Sequence, residues 1–223
     1  MPKKLPKEVK LVLEHQPHQI DYRREKNVSA SQILMYDECP HKWKLSKIDK
    51  LQVYTPSVHT VFGTAMHEVI QEWLDVMYNS SVKESKEMNL REELKLKMRA
   101  VYEKERKKTK EAFTTADELN SFFLDGVKIL EHLQKKRTQY FSTKNTFLAG
   151  IETDIVQEIR PNVYFKGYID LVFYNRLADT YTIIDIKTST RGWGDYEKKN
   201  DAKIAQILLY KEFFAKQFNV DVD

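Results

Sequence analysis

Cysteine is nearly absent. The 223 residues contain one, Cys39, so no internal disulfide forms, and a lone thiol holds neither a zinc ion nor an iron–sulfur cluster. With only 6 Gly and 6 Pro, collagen-like and low-complexity chains are excluded. No run of about 18 apolar residues is present to cross a bilayer, and the basic segment Met1–Lys10 lacks the apolar stretch of a secretory signal. A cytoplasmic protein with no membrane partner is therefore expected. Phosphate-cradling glycine loops are missing as well: neither GxxxxGK[ST] nor GxGxxG occurs, so an ATP-driven motor is expected only on a separate polypeptide.

What is present is a foldable chain. Apolar residues make up 41% and aromatics 12%, enough for one domain with a buried core. Lys and Arg outnumber Asp and Glu by 37 to 33, a balance that permits a nucleic-acid partner without requiring one. Residues 1–28 read as a basic tail without a sustained period, and 29–223 as one domain. Ser29 is an N-cap for an amphipathic run that Cys39-Pro40 interrupts, predicting helix, break, helix. From Ser57 to Tyr78, apolar residues recur at three and four, a helix with one broad buried stripe. The section from about 80 to 141 reads as a helical insertion, first a charge-laced solvated helix and then a helix over Asp117–Phe141.

After Thr146 the texture turns β-branched and aromatic, predicting strands over Phe147–Ile159, Val163–Tyr174 and Tyr181–Thr188. A helix over Asp201–Phe218 follows, with Ile204, Leu208, Phe214 and Phe218 as core candidates. Asn219–Asp223 alternates like the start of another strand, so a truncation at the C-terminus is expected.

The second and third strands carry the chemistry. A hairpin turn centred between Leu177 and Ala178 sets Asp170 directly across from Asp185. Opposed Cβ atoms sit about 4.5–5.5 Å apart, and two carboxylates there repel unless something compensates. A hard divalent cation does so, and Lys187, two residues along a strand, returns its ammonium to the same face as Asp185. Carboxylates, a cation and an ammonium together suit phosphodiester hydrolysis.

Gly167-Tyr-Ile-Asp170, Ile184-Asp-Ile-Lys-Thr-Ser189 and Gln206-Ile-Leu-Leu-Tyr210 resemble the RecB-like branch of the PD-(D/E)xK nuclease superfamily. The resemblance spans about Ser29 to Tyr210. It implies an α/β fold, a central mixed β-sheet flanked by helices as in restriction endonucleases, with a helical N-terminal half. It further implies that Asp170 and Asp185 bind the metal, that Lys187 is catalytic, and that the Ile186 carbonyl is a ligand. Gln206 and Tyr210 would steer the DNA backbone. Phe62-Gly-Thr-Ala-Met-His67 is similar to the family's G-x-x-x-H helix, which makes His67 a metal ligand, with Glu68 as an alternative inward-facing residue. Glu152 resembles a strand acid of many relatives. The implied cofactor is Mg²⁺ or Mn²⁺, and the implied activity is a deoxyribonuclease of phage or bacterial exonuclease type, acting in DNA recombination, repair or processing, with a separate helicase or recombination protein as a possible partner. Ser29–Lys44 resembles the family's opening segment, where a cysteine often joins three others around an iron–sulfur cluster; with Cys39 alone, no cluster is expected. Lys166, Arg191, Lys198, Lys199 and Lys203 are candidate backbone contacts. Two competing expectations are a nucleic-acid-binding module without catalysis and a helical interaction protein built on residues 80–141.

Overall fold

A computed structural model of the chain describes residues 5–188, 194 and 201–220. Its centre is β3 (Val163–Asn175), whose run Leu171–Tyr174 is buried on both faces. β2 (Thr146–Arg160) pairs antiparallel along one edge of β3. The other edge is shared: β1 (Lys26–Val28) runs parallel beside Val163–Phe165, and β4 (Thr180–Ile184) runs antiparallel beside Leu171–Asn175. Between them, Lys166–Asp170 has no strand partner on that edge among the described residues. The sheet is mixed, as the sequence implied.

Helices cover both faces. On one lies α4 (Val58–Asp75), capped by the Ser57 hydroxyl, whose stripe of Val61, Phe62, Ala65, Met66, Val69, Ile70, Trp73 and Leu74 is buried. The expected insertion packs against it as α5 (Val82–Glu87), α6 (Leu90–Thr109), α7 (Ala116–Lys135) and α8 (Arg137–Tyr140). Of these, α6 keeps its charged face in solvent, with pairs such as Glu92–Lys95, and buries Leu90, Leu94, Met98 and Val101. Gly126 of α7 is required by this contact, since a Cβ there would lie 2.6 Å from Leu94 and 2.9 Å from Phe62.

The opposite face is covered by α9 (Asp201–Phe218), α1 (Lys7–Leu13) and α2 (Ala30–Glu38), which enclose Phe165, Ile169, Val172 and Tyr174. Two expectations change here. The segment read as a tail contributes α1, whose Val9 and Val12 are buried against β2. In α9, Phe214 and Phe218 are core, but Ile204 and Leu208 are exposed. The sheet-facing row is Gln206, Tyr210, Phe214 and Phe218, and Leu208 stands about 200° around the helix from Gln206. Pro40 opens α3 (Pro40–Trp43) at the expected break, and Cys39 caps it, its Sγ accepting from the Lys42 N–H at 3.4 Å. Asn219 and Val220 form a turn and an irregular residue; the rest of the strand expected there lies outside the described residues. No helix of the described residues is long and apolar enough to cross a membrane.

Candidate active site

The hairpin register is the one the sequence predicted. Leu171 pairs with Ile184 and Asn175 with Thr180, so the next rung is Asp170 opposite Asp185. The ladder stops one rung short of it. The third strand was expected to reach Thr188 but ends at Ile184, because the Ile186 N–H donates to the Asp170 carboxylate (2.5 Å) instead of to a strand carbonyl. A carboxylate that accepts a backbone N–H makes a stronger bond than a neutral carbonyl does.

On the other side of Asp170 the β2 ladder is also interrupted. Ile151 pairs with Leu171 and Thr153 with Ile169, leaving Glu152 opposite Asp170. Glu152 adopts φ +47°, a left-handed conformation unfavourable for a residue with a Cβ. The two-residue repeat of β3 breaks at the same level: Ile169 packs with α9, and Leu171 packs with α4. Both acids thereby leave the regular pleat and meet α4.

That helix contributes two side chains one turn apart. His67 Nδ1 lies 3.7 Å from Asp170 Oδ1, and the Gln71 amide donates to Glu152 Oε1 at 2.6 Å. Gln71 is only 7% exposed, and its Nε2 also approaches the Asp170 carbonyl at 3.5 Å. Sequence reasoning missed it, although its signal was there: position i+4 from His67 shares a helix face. Glu68 turns instead toward α6, where Lys97 Nζ is 3.4 Å from its carboxylate and also pairs with Glu72.

His67, Glu152 and Asp170 offer donor atoms that all lie within 4.8 Å of one another. Asp170 is 8% exposed, and burial pushes its carboxyl above the usual carboxylate value; the Ile186 N–H and His67 pull it back, while Asp185 and Glu152 add to the rise. Asp185 stands beside this group. Its Oδ2 takes the Lys187 ammonium at 2.6 Å, and its Oδ1 takes the Gln206 amide at 3.2 Å. Gln206 Nε2 reaches the Tyr210 hydroxyl as well, at 3.2 Å. Burial raises the Tyr210 phenol, with Gln206 opposing and the three acids adding to the shift.

Tyr210 explains the glycine of Gly167-Tyr-Ile-Asp170. A Cβ on Gly167 would meet Tyr210 Cε1 at 2.8 Å, so the aromatic ring lies where a side chain would stand. Every sequence-predicted site residue is thus placed near one point, where β2, β3 and the end of β4 meet α4 and α9. Of the predicted basic contacts, Lys166 and Lys203 are described, whereas Arg191, Lys198 and Lys199 lie outside the described residues.

The family model of the PD-(D/E)XK nuclease superfamily matches residues 27–222. With nearly the whole chain covered, this protein belongs to the PD-(D/E)XK nuclease superfamily. No curated protein and no solved structure gives a significant match.

Proposed function

We propose that this chain is a divalent-metal-dependent deoxyribonuclease, RecB-like in type, that hydrolyses phosphodiester bonds as an exonuclease. The single observation that carries the reading is the convergence on Asp170: one imidazole and one further carboxylate with donor atoms within 4.8 Å, and an Asp185–Lys187 pair on the adjoining rung.

The donor set suits a hard cation such as Mg²⁺ or Mn²⁺, since carboxylate oxygens dominate and a buried acid held toward protonation is restored to its charged form by a neighbouring cation. His67, Glu152 and Asp170 would hold it, with Asp185 and the Ile186 carbonyl as the further ligands the family motif implies. When bound, such an ion polarises a phosphoryl oxygen and acidifies a water.

The chain's own groups do the rest. Lys187 is anchored on Asp185 but remains about a third exposed, so its ammonium can orient an attacking water and stabilise charge that develops on the phosphate. The Ile186 N–H fixes the rotamer of Asp170, and Gln71 fixes that of Glu152 against a strained backbone. Gln206 bridges Asp185 and the nearly buried Tyr210, and the pair would steer a nucleic-acid backbone toward the acids as the family motif implies.

The test is cutting of linear DNA with Mg²⁺, with Mn²⁺ and with EDTA, in wild type and Lys187→Ala. Expected are no cutting in EDTA, mononucleotide or short products with metal, and a loss of about 10²-fold or more in Lys187→Ala with DNA affinity nearly intact. Undiminished cutting by Lys187→Ala rejects the reading.

A further inference from the structure

We propose that the nucleic-acid strand lies on one side of the His67–Glu152–Asp170 cluster only, with an unpaired base stacked on Tyr168 and a phosphate on Lys166, so that the site takes a single-stranded end. This rests on the nuclease reading and adds to it the substrate form and the path of the strand.

The two sides of the cluster differ in charge. On the α4 side, beyond Gln71, a cleft of about 710 Å³ is lined by Glu68, Glu72, Asp75 and Glu93 against one ammonium, Lys97, which is already paired with Glu68 and Glu72. A polyphosphate entering it meets an unfavourable field. On the other side, beyond Tyr210, a cleft of about 320 Å³ has no carboxylate among the described residues that line it; Asn27, Ser29, Gln32, Gly167 and Tyr168 form it with Lys166. Tyr210 joins this second cleft to the acid cluster through Gln206 and Asp185.

The wall of that cleft is the stretch of β3 between β1 and β4 that has no strand partner on this edge among the described residues. Lys166 and Tyr168 are two residues apart, about 6.6–6.8 Å along the strand, and Asp170 follows at the level where the pleat breaks. Phe165, Gly167 and Ile169 take the alternate positions, turned to α9. Tyr168 is 47% exposed, an unusual position for a large ring two residues from a buried acid. The Lys166 ammonium lies 5.7 Å from the ring centroid and 3.5 Å from the Tyr22 hydroxyl, and no carboxylate of the described residues is within ion-pair distance of it. Asp154 is the residue directly across from Tyr168, which assigns the phosphate contact to Lys166 and leaves the ring for stacking. An aromatic face beside a cation is the usual platform for a single strand, whose bases unstack and splay onto the ring without melting a duplex.

The experiment measures binding of a linear single-stranded oligodeoxynucleotide carrying 2-aminopurine near its end, with Ca²⁺ in place of Mg²⁺. Wild type is expected to quench the fluorophore. Tyr168→Ala should bind about 5- to 150-fold more weakly and lose the quench, while Tyr168→Phe keeps both, at unchanged thermal stability. Lys166→Ala should lower the slope of log affinity against log salt by about one. A closed single-stranded circle should resist cutting, because its chain must continue into the acidic cleft. Unchanged affinity and quench in Tyr168→Ala, tighter binding of blunt duplex than of single strand, or a circle cut as fast as the linear strand would each overturn the proposal. A wild type that stacks the base but never cuts with metal sinks the nuclease reading alone.

Discussion

Asp170 is expected to weaken the metal-free fold that it serves. Its carboxylate is nearly buried, opposite Glu152 and next to Asp185. Burial is the main cost to its charged form, and repulsion from Asp185 and, least, from the solvent-exposed Glu152 adds to it. Asp170→Asn removes that repulsion and the cost of burying the charge, keeps an oxygen for the Ile186 N–H, and gives up the charge-assisted share of that bond, about 1–2 kcal/mol. The net expectation at pH 8 in EDTA is a gain of about 2 kcal/mol, or a melting temperature about 4–8 °C higher for a chain of this length. Because the folded pKa is raised, the contribution of this group to stability is full below its unfolded value and is lost as pH rises, so the advantage of Asn should shrink toward pH 4. Added Mn²⁺ should raise the wild-type melting temperature and leave Asp170→Asn unmoved, while cutting is lost in the variant. Calorimetric melts in both buffers decide the matter: an Asn variant that melts at or below wild type in EDTA and responds equally to Mn²⁺ refutes the reasoning.

Further outcomes follow from single contacts. Gly167→Ala forces Tyr210 off its place over β3 and should cost about 1–3 kcal/mol by denaturant titration while slowing cutting through Gln206 and Asp185; an unchanged midpoint and rate would refute the packing argument. At Glu152, whose φ is +47°, Gly should be about 1 kcal/mol more stable than Ala, with weakened Mn²⁺ binding in both by titration calorimetry; equal melting of the two variants refutes the strain. The Tyr78 phenol donates to the Ser142 carbonyl, and burial pushes its pKa up to about 12, with Arg137 opposing. Since the fold favours its protonated form, stability is full below pH 10 and falls as pH rises through 12; Tyr78→Phe should show a shallower alkaline decline in unfolding free energy, and an identical decline would count against it.

The hairpin and the helices around it were legible because their periods are local. Turn residues and alternation over Val163–Thr188 gave the register that sets Asp170 opposite Asp185, and three-and-four spacing gave the buried stripe of α4, whereas His67 was singled out by the family resemblance. The ambiguity between His67 and Glu68, midway along that helix, was settled only by α6, whose Lys97 draws Glu68 away. Ile204 and Leu208 misled because α9 carries apolar residues on more than one face, and the one that docks is chosen by the aromatic row against β3. The early segment gave no period over its short helix, yet Val9 and Val12 find a partner in β2.

The order of elements and the β3–β4 register that brings Asp170, Asp185 and Lys187 together were set by sequence, since each depends on residues close along the chain, while His67 and Glu152 were expected there only from the family resemblance. Tertiary structure alone decided that Glu152 leaves the pleat to join Asp170, that Gln71 holds it there, and that Asp185 is tied to Lys187 and Gln206 beside the tightest group. Those placements depend on a broken ladder, a left-handed residue and contacts between residues up to 99 positions apart, and no local pattern encodes distances of that kind.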